Sequence, residues 1–293
     1  MILLTFDWEG VPTRVLERLH PQAFRLARQS PCRGRDLCGP RGCADAVRGR
    51  VEPVRERGQN RAVLISGASH GLGLAIARHF ASSGARLICL ARDETRLETA
   101  TSDLVERGAS VLRIACDIAD SGQVASALEV AEGFTDRLDL LINNAGIPAP
   151  RTLPETGVED WNRVVGTNLS GAFYLTRAFW PLLTASASPY VITISGTAGL
   201  RGSASPAYGA AKFGLAGLSS AIAAAGKEHG LRSTILYPGS MDTGWRGAPI
   251  GEKPLTETMD PAEVARFIAY LVDTPPQFVL NEAVLNPSGS SWS

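Results

Sequence analysis

The chain predicts a doubly wound α/β fold, with a seven-stranded parallel sheet and helices on both faces, over residues 61–293. Three observations predict it. From Arg61 onward, short β-rich runs alternate with helix-length amphipathic segments. The runs are almost continuously apolar, as strands buried on both faces must be. The first run leads at once into a glycine-rich turn and then a helical pattern, which is the start of a βα unit.

In chain order, the run 62–66 reads as the first strand and 72–83 as the helix beyond the glycine turn. The apolar stretch 86–90 and the amphipathic stretch 94–107 form the second strand and helix, and 110–115 with 121–135 the third pair. Strand 138–142 precedes one long helical pattern, 158–183. Strand 190–194 is followed by helix 206–228, strand 233–236 by helix 261–272, and 278–285 closes the sheet. No internal repeat is present.

Residues 1–60 differ in character. They carry eleven Arg and seven acidic residues, an excess of +4, with Gly, Pro and Cys clustered as in Pro31-Cys32-Arg33-Gly34-Arg35. This segment is expected to be a flexible N-terminal extension.

Composition narrows the function. At 293 residues, 44% apolar and 20% charged, the chain is an ordinary globular protein with a full core. A formal net charge of zero makes no electrostatic case for nucleic acid or an acidic membrane. No apolar run is long enough to span a bilayer. Cys89 and Cys116 lie in strand-like runs and read as buried thiols. Cys38 and Cys43 lack a second Cys/His cluster, and the four His show no ligand spacing, so no metal is expected. The start has no basic lead-in to an apolar core, and a reducing cytoplasm is expected.

The segment Ser66-Gly67-Ala68-Ser69-His70-Gly71-Leu72-Gly73 joins the first strand to its helix. Glycines at 67, 71 and 73 permit a sharp turn and let phosphate oxygens approach main-chain N–H groups at the helix N-terminus. The context is that of a dinucleotide site. At the end of the second strand an acidic residue would bond the adenosine ribose and favour NAD. Here Ala91 stands there, followed by Arg92, whose guanidinium suits a 2′-phosphate. NADP is therefore expected over NAD, with His70 as a second donor.

Tyr208 and Lys212 are four residues apart, on one face of the helix expected there. A phenol ionises near pH ~10, and a fixed ammonium beside it favours the phenolate, which makes the pair a candidate proton donor. Only three lysines occur in the chain, Lys212, Lys227 and Lys253.

From about Arg61 to Pro287 these residues resemble the short-chain dehydrogenase/reductases, in the single-domain branch. Gly67, Gly71 and Gly73 match the family's glycine turn, with Ser66 where Thr is commoner. Asp117, followed by Ile118, matches the acidic residue that holds the adenine amino group. Asn143-Asn144-Ala145-Gly146 matches the tetrad that steadies the sheet and lines the cofactor cleft. Asn168 matches the helix-bend asparagine, Tyr208 and Lys212 the YxxxK pair, and Pro238-Gly239 with Thr243 the turn at the nicotinamide end.

The resemblance implies a Rossmann-type fold and hydride transfer between nicotinamide and a carbonyl or alcohol carbon, with no metal. It implies that Tyr208 gives the proton, that Lys212 holds the nicotinamide ribose, and that Asn168 positions a water. It also implies a serine hydroxyl on the substrate oxygen. By motif that position falls on Gly196; by its usual distance from the tyrosine it falls on Ser195, which is the expectation here, with Thr197 as substitute. Substrate choice is expected between Thr243 and Asp260, with Trp245 as a cap and Arg246 facing an acidic group, and an opposite wall at 147–153. The long helices resemble those through which the family forms homodimers and homotetramers. Two other readings stand beside a carbonyl reductase or alcohol dehydrogenase. One is a 3-oxoacyl carrier-protein reductase docking through Arg151, Arg201 and Arg246; the other is a non-catalytic redox sensor.

Overall fold

The computed structural model describes residues 60–150, 152–203, 205–247 and 250–290. The extension expected over 1–60, apart from Asn60, lies outside them, as do Cys32, Cys38, Cys43, Arg151 and the side chain of Arg246.

Seven strands form one parallel sheet in the order β3-β2-β1-β4-β5-β6-β7. They are β1 (Ala62–Ser66), β2 (Arg86–Ala91), β3 (Val111–Ala115), β4 (Leu140–Asn143), β5 (Tyr190–Ile194), β6 (Arg232–Pro238) and β7 (Glu282–Leu285). The chain reverses direction across the sheet between β3 and β4. A crevice therefore opens beyond the carboxyl ends of β1 and β4, where such sheets bind ligands.

Alternate residues of each strand feed opposite cores. Val63 and Ile65 of β1 pack with Leu72, Ile76 and Phe80 of α1 (Gly71–Ser82). The same core takes Leu97 of α2 (Glu94–Glu106) and, from the C-terminal helix (Pro261–Asp273), Val264 and Ile268. Leu64 faces the other way, towards Val124 of α3 (Ser121–Glu132) and Leu175, Phe179 and Leu183. Burial on both faces is why the strands read as unbroken apolar runs. Asp93 and Asp120 cap α2 and α3, accepting from the Arg96 amide at 2.9 Å and the Gly122 amide at 2.8 Å.

Two expected elements differ. The stretch 158–183 is not one helix but α4 (Val158–Val165), a π-helical turn (Gly166–Ser170), α5 (Gly171–Ala178) and α6 (Trp180–Thr184). The wide turn carries an extra residue that swings Asn168 inward, to 1% exposure. At its end Gly171 lies so close to Ile118 that an added Cβ would come within 2.6 Å of it. Pro181 starts α6, since its ring cannot continue the preceding hydrogen bonds. The last strand begins at Glu282, not 278, because the Phe278 amide closes a turn onto the Pro275 carbonyl at 2.8 Å. The remaining helices are α7 (Pro206–Gly226) and the C-terminal helix, α8. No helix among the described residues is long and apolar enough to cross a membrane.

A fully buried serine ties the two central strands together. Ser66 Oγ donates to the Ile142 carbonyl at 3.1 Å and accepts from the amides of Asn144 and Ala145, both at 3.0 Å. The Asn144 amide group returns the tie, donating to the Ser66 carbonyl at 2.8 Å. Ser66→Ala leaves two amides and a carbonyl without their partner. Urea unfolding of this variant should show a loss of about 2–4 kcal/mol, and a loss below about 0.5 kcal/mol would mean that water replaces the hydroxyl.

Candidate active site

A cavity of about 970 Å³ lies over the carboxyl ends of the strands. Its wall is built where each strand hands over to its helix. The glycine turn contributes Gly67, Ser69, His70, Gly71 and Leu72; β2 leads into Arg92; β3 leads into Asp117 and Ile118. Asn144, Ala145 and Gly146 follow β4, Tyr208 and Lys212 come from α7, and Pro238, Gly239 and Thr243 follow β6. Ser66, Gly73 and Asn168 stand behind this wall. Ser66 is occupied by the β1–β4 tie, and Gly73 backs the turn, where any Cβ would run into the Gly67 carbonyl oxygen. Both hold the turn in shape, and neither, though expected at the cofactor, is part of the cavity wall.

The turn leaves amides for a ligand. Those of Gly67 and Ala68 are occupied by the Leu90 carbonyl, at 2.8 and 3.1 Å. His70, at the cap position of α1, makes no side-chain cap bond. The first amides of α1 therefore face the cavity with the helix dipole behind them, as an anion site requires.

The end near β2 is basic. Arg92 and Arg96 both line the cavity and are exposed, and neither forms an ion pair among the described residues. Asp93, which could have neutralised Arg92, caps α2. Burial, and then the charge of Arg96, hold the His70 imidazole below its usual pKa. Arg96 was not among the expected site residues. Its signal was its place in the first turn of α2, just beyond the strand end that carries Arg92.

At the other end, Tyr208 and Lys212 share a face of α7. The Lys212 Nζ lies 5.6 Å from the centre of the Tyr208 ring. It is 4% exposed and donates to the Ile194 carbonyl at the end of β5, at 2.9 Å. Burial lowers its pKa to about 8. The Asn168 side chain clasps the Ile147 peptide, accepting from its amide at 2.7 Å and donating to its carbonyl at 3.0 Å. A Cβ on Gly146 would sit 3.4 Å from Asn168 Oδ1 and 3.9 Å from Lys212 Nζ, so the amide and the ammonium flank this one bare position.

Ser195, expected to contact the substrate, lines the cavity beside Gly196. Its hydroxyl donates to the Lys212 carbonyl at 2.9 Å and is turned into α7. Gly199 leaves room for it there, since a Cβ on Gly199 would collide with that oxygen. The residue that faces the tyrosine is Gly196, where a Cβ would lie 3.8 Å from the Tyr208 hydroxyl oxygen. That is the position the motif alignment gives, and the segment from it to Tyr208 is one residue shorter than the usual distance. Thr197 reaches the cavity wall from the turn beyond.

The Trp245 ring lies 6.3 Å from that of Tyr208, and Lys253 and Thr258 of the same loop also line the cavity. Of the expected opposite wall, Ile147 lines the cavity, whereas Leu153 is 73% exposed. No group of three or more His, Cys, Asp or Glu that could hold a metal ion exists among the described residues.

Comparison with known proteins agrees with this layout. Residues 61–250 match the family model for short chain dehydrogenases. The 3-oxoacyl-(acyl-carrier-protein) reductase of Escherichia coli strain K12 is 29% identical over 235 residues, covering 77% of this chain and 95% of that protein. A metagenomic short-chain oxidoreductase, solved in complex with NADP, is 28% identical with a TM-score of 0.69, covering 78% of this chain and 98% of that one. The alcohol dehydrogenase of the archaeon Thermococcus sibiricus, solved with 5-hydroxy-NADP, shares the fold at a TM-score of 0.75 and 23% identity, over 80% of this chain and 100% of that one. The family match runs from β1 to beyond β6, through the residues that build the cavity, and the chain belongs to the short chain dehydrogenase family of nicotinamide-dependent oxidoreductases.

Proposed function

We propose that the protein is an NADP-dependent carbonyl reductase or alcohol dehydrogenase acting on a small to medium metabolite. The observation that carries the reading is the Tyr208–Lys212 pair on α7, opening on the cavity with the ammonium held under the ring. The cradle fits a dinucleotide: bare glycines, uncapped amides at α1 and a basic end lie along one cleft. Once bound there, a nicotinamide dinucleotide supplies or accepts the hydride.

The chain's own residues would do the rest. In reduction, Tyr208 hands its phenolic proton to the substrate oxygen as negative charge develops on it. The Lys212 cation, desolvated and close, favours the phenolate left behind and bonds the nicotinamide ribose. Asn168 holds Ile147 and the widened turn in place, so a water passing protons to Lys212 would rest on main-chain groups of that turn. Asp117 would take the adenine amino group. Arg92, joined by Arg96, would pair with a 2′-phosphate, and among the described residues neither is paired with a carboxylate, which supports NADP over NAD.

The relationship to carrier-protein reductases supports a second reading, reduction of a 3-oxoacyl group delivered by an acidic carrier. A cytoplasmic homo-oligomer is part of the proposal, supported by the exposed apolar side chains of Trp161, Phe173 and Phe213 on α4, α5 and α7. Turnover of NADPH with a carbonyl panel separates all of these from a non-catalytic sensor, which would bind cofactor and reduce nothing.

Three outcomes are expected. Tyr208→Phe should lower kcat by about 10²-fold or more with little change in cofactor affinity, and near-normal turnover would remove Tyr208 from the chemistry. Arg92→Ala and Arg96→Ala should each raise the Kd for NADPH more than that for NADH, as read by fluorescence titration; equal losses would end the 2′-phosphate assignment. The third concerns pH. The Lys212 pKa is about 8 in the folded protein against 10.5 for a lysine in water, so the unfolded chain holds more protons between them. Stability should therefore rise with pH across that window and be lost as pH falls through it. Measured against Lys212→Met, the difference should climb from pH 8 to 10.5 and be flat below. A flat difference throughout would put the ammonium in water.

A further inference from the structure

The loop after β6 brings a cation into the cavity that the mechanism above does not use. Its two ends are pinned side by side. The Asp242 amide donates to the Met259 carbonyl and the Met259 amide to the Ser240 carbonyl, both at 2.9 Å. Further along, the Gly251 amide donates to Asp242 Oδ2 at 2.8 Å, which folds the returning limb of the loop onto the outgoing one. The returning limb carries Glu252, Lys253 and Glu257, all exposed to solvent. Of these three charges, Lys253 is the one that lines the cavity. It forms no ion pair among the described residues. Asp242 also lines the cavity, but its carboxylate already accepts the Gly251 amide.

The fold says which end of the cleft this ammonium serves. In the sheet, β6 lies four strands from β2, counted through β1, β4 and β5. At about 4.8 Å per strand that is roughly 19 Å. Arg92 and Arg96 stand at the β2 end, so Lys253 belongs to the other. Trp245 of the same loop brings its ring 6.3 Å from that of Tyr208, which sets the loop over the proton donor. A cation there has few partners among the groups already assigned. Lys212 and an oxidised nicotinamide ring are themselves cationic and repel it. A pyrophosphate already has the first amides of α1. An anionic group on the substrate remains. A carboxylate offers two acceptor oxygens to an ammonium, and the bond is charge-assisted.

We propose that Lys253 binds a carboxylate of the substrate, so that the enzyme works on oxo acids in the reducing direction and hydroxy acids in the oxidising one. This rests on the reductase reading above and names its substrate class. In reduction, the carbonyl carbon gains a hydride from the reduced nicotinamide and the oxygen gains the Tyr208 proton. The C=O π bond is lost, C–H and O–H bonds form, and the nicotinamide is left oxidised. The carboxylate is unchanged by the reaction. Its bond to Lys253 anchors one end of the substrate while Tyr208 holds the reacting oxygen. Lys253 is therefore a specificity-determining residue, and Tyr208 and Lys212 keep the chemistry.

The test pairs each oxo acid with its amide: pyruvate with pyruvamide, acetoacetate with acetoacetamide, and 4-oxopentanoate with 4-oxopentanamide. Within a pair the heavy atoms are equal in number and the charge differs. With NADPH, the wild-type enzyme should favour the acid in at least one pair by about tenfold or more in kcat/KM, the scale of a charge-assisted hydrogen bond. The preference should shrink as salt is raised. Lys253→Met should bring the ratio close to one, chiefly through KM for the acid, and Lys253→Arg should keep the preference. Fluorescence titration should give Lys253→Met the wild-type Kd for NADPH. If the Met variant does not fold, the wild-type ratio and its salt dependence decide. An active enzyme that uses acid and amide equally in every pair, prefers the amides, or reduces only other carbonyl compounds overturns the inference and leaves the reductase reading standing. So does an acid preference that Lys253→Met leaves intact; a weaker Kd for NADPH in that variant would then assign the ammonium to the pyrophosphate. An enzyme that reduces no carbonyl compound at all would count against both.

Discussion

A buried ammonium organises this site. Lys212 sits at 4% exposure between β5 and α7, and a cation out of water is costly unless it is hydrogen-bonded. The Ile194 carbonyl supplies the bond, at the point where β5 ends. The Ser195 hydroxyl then fastens the next residue of that strand end to the Lys212 carbonyl, so lysine and strand end grip each other from both sides. Because α7 also carries Tyr208 one turn earlier, the ring has its place relative to the cation decided by the same contacts. On the far side of the cleft, Gly146 brings Ile147 and the inward-turned Asn168 close to the same ammonium.

Much of this was legible beforehand, for identifiable reasons. The strands could be placed within one to four residues because burial on both sheet faces makes them apolar without interruption, a pattern no surface helix imitates. The glycine turn was legible because close backbone approach admits no other residue. The break in 158–183 was not, because one extra residue in a turn barely disturbs an apolar periodicity. Ser66 lies beside the turn, where the sequence pattern alone suggests a cofactor contact. Its small polar side chain serves a different need, satisfying amides at the start of the β4 loop. Arg96 escaped notice because exposed arginines on helices are usually solvated, and only the fold shows that this one overlooks the cleft.

Ser195 and Gly196 illustrate how a one-residue ambiguity decides chemistry. Successive residues at a strand end point to opposite sides. Assigning the hydroxyl to 195 or 196 therefore decides whether it faces helix or cavity, and the structure sends it to the helix. The chain combines an intact Tyr208–Lys212 pair with a bare position beside it. Under the proposed function, Tyr208 and Lys212 would act on the transferring proton.

The central claim is that the cleft lays a nicotinamide ring against Tyr208 with Lys212 beneath it. A crystal structure with NADP+ and an alcohol or ketone bound tests it most directly. The account predicts the substrate oxygen in hydrogen-bond contact with the Tyr208 hydroxyl, Lys212 Nζ on the nicotinamide ribose, and the nicotinamide C4 about 3–3.5 Å from the substrate carbon. A cofactor seated with its nicotinamide away from α7, or a cleft that admits no dinucleotide, would contradict it.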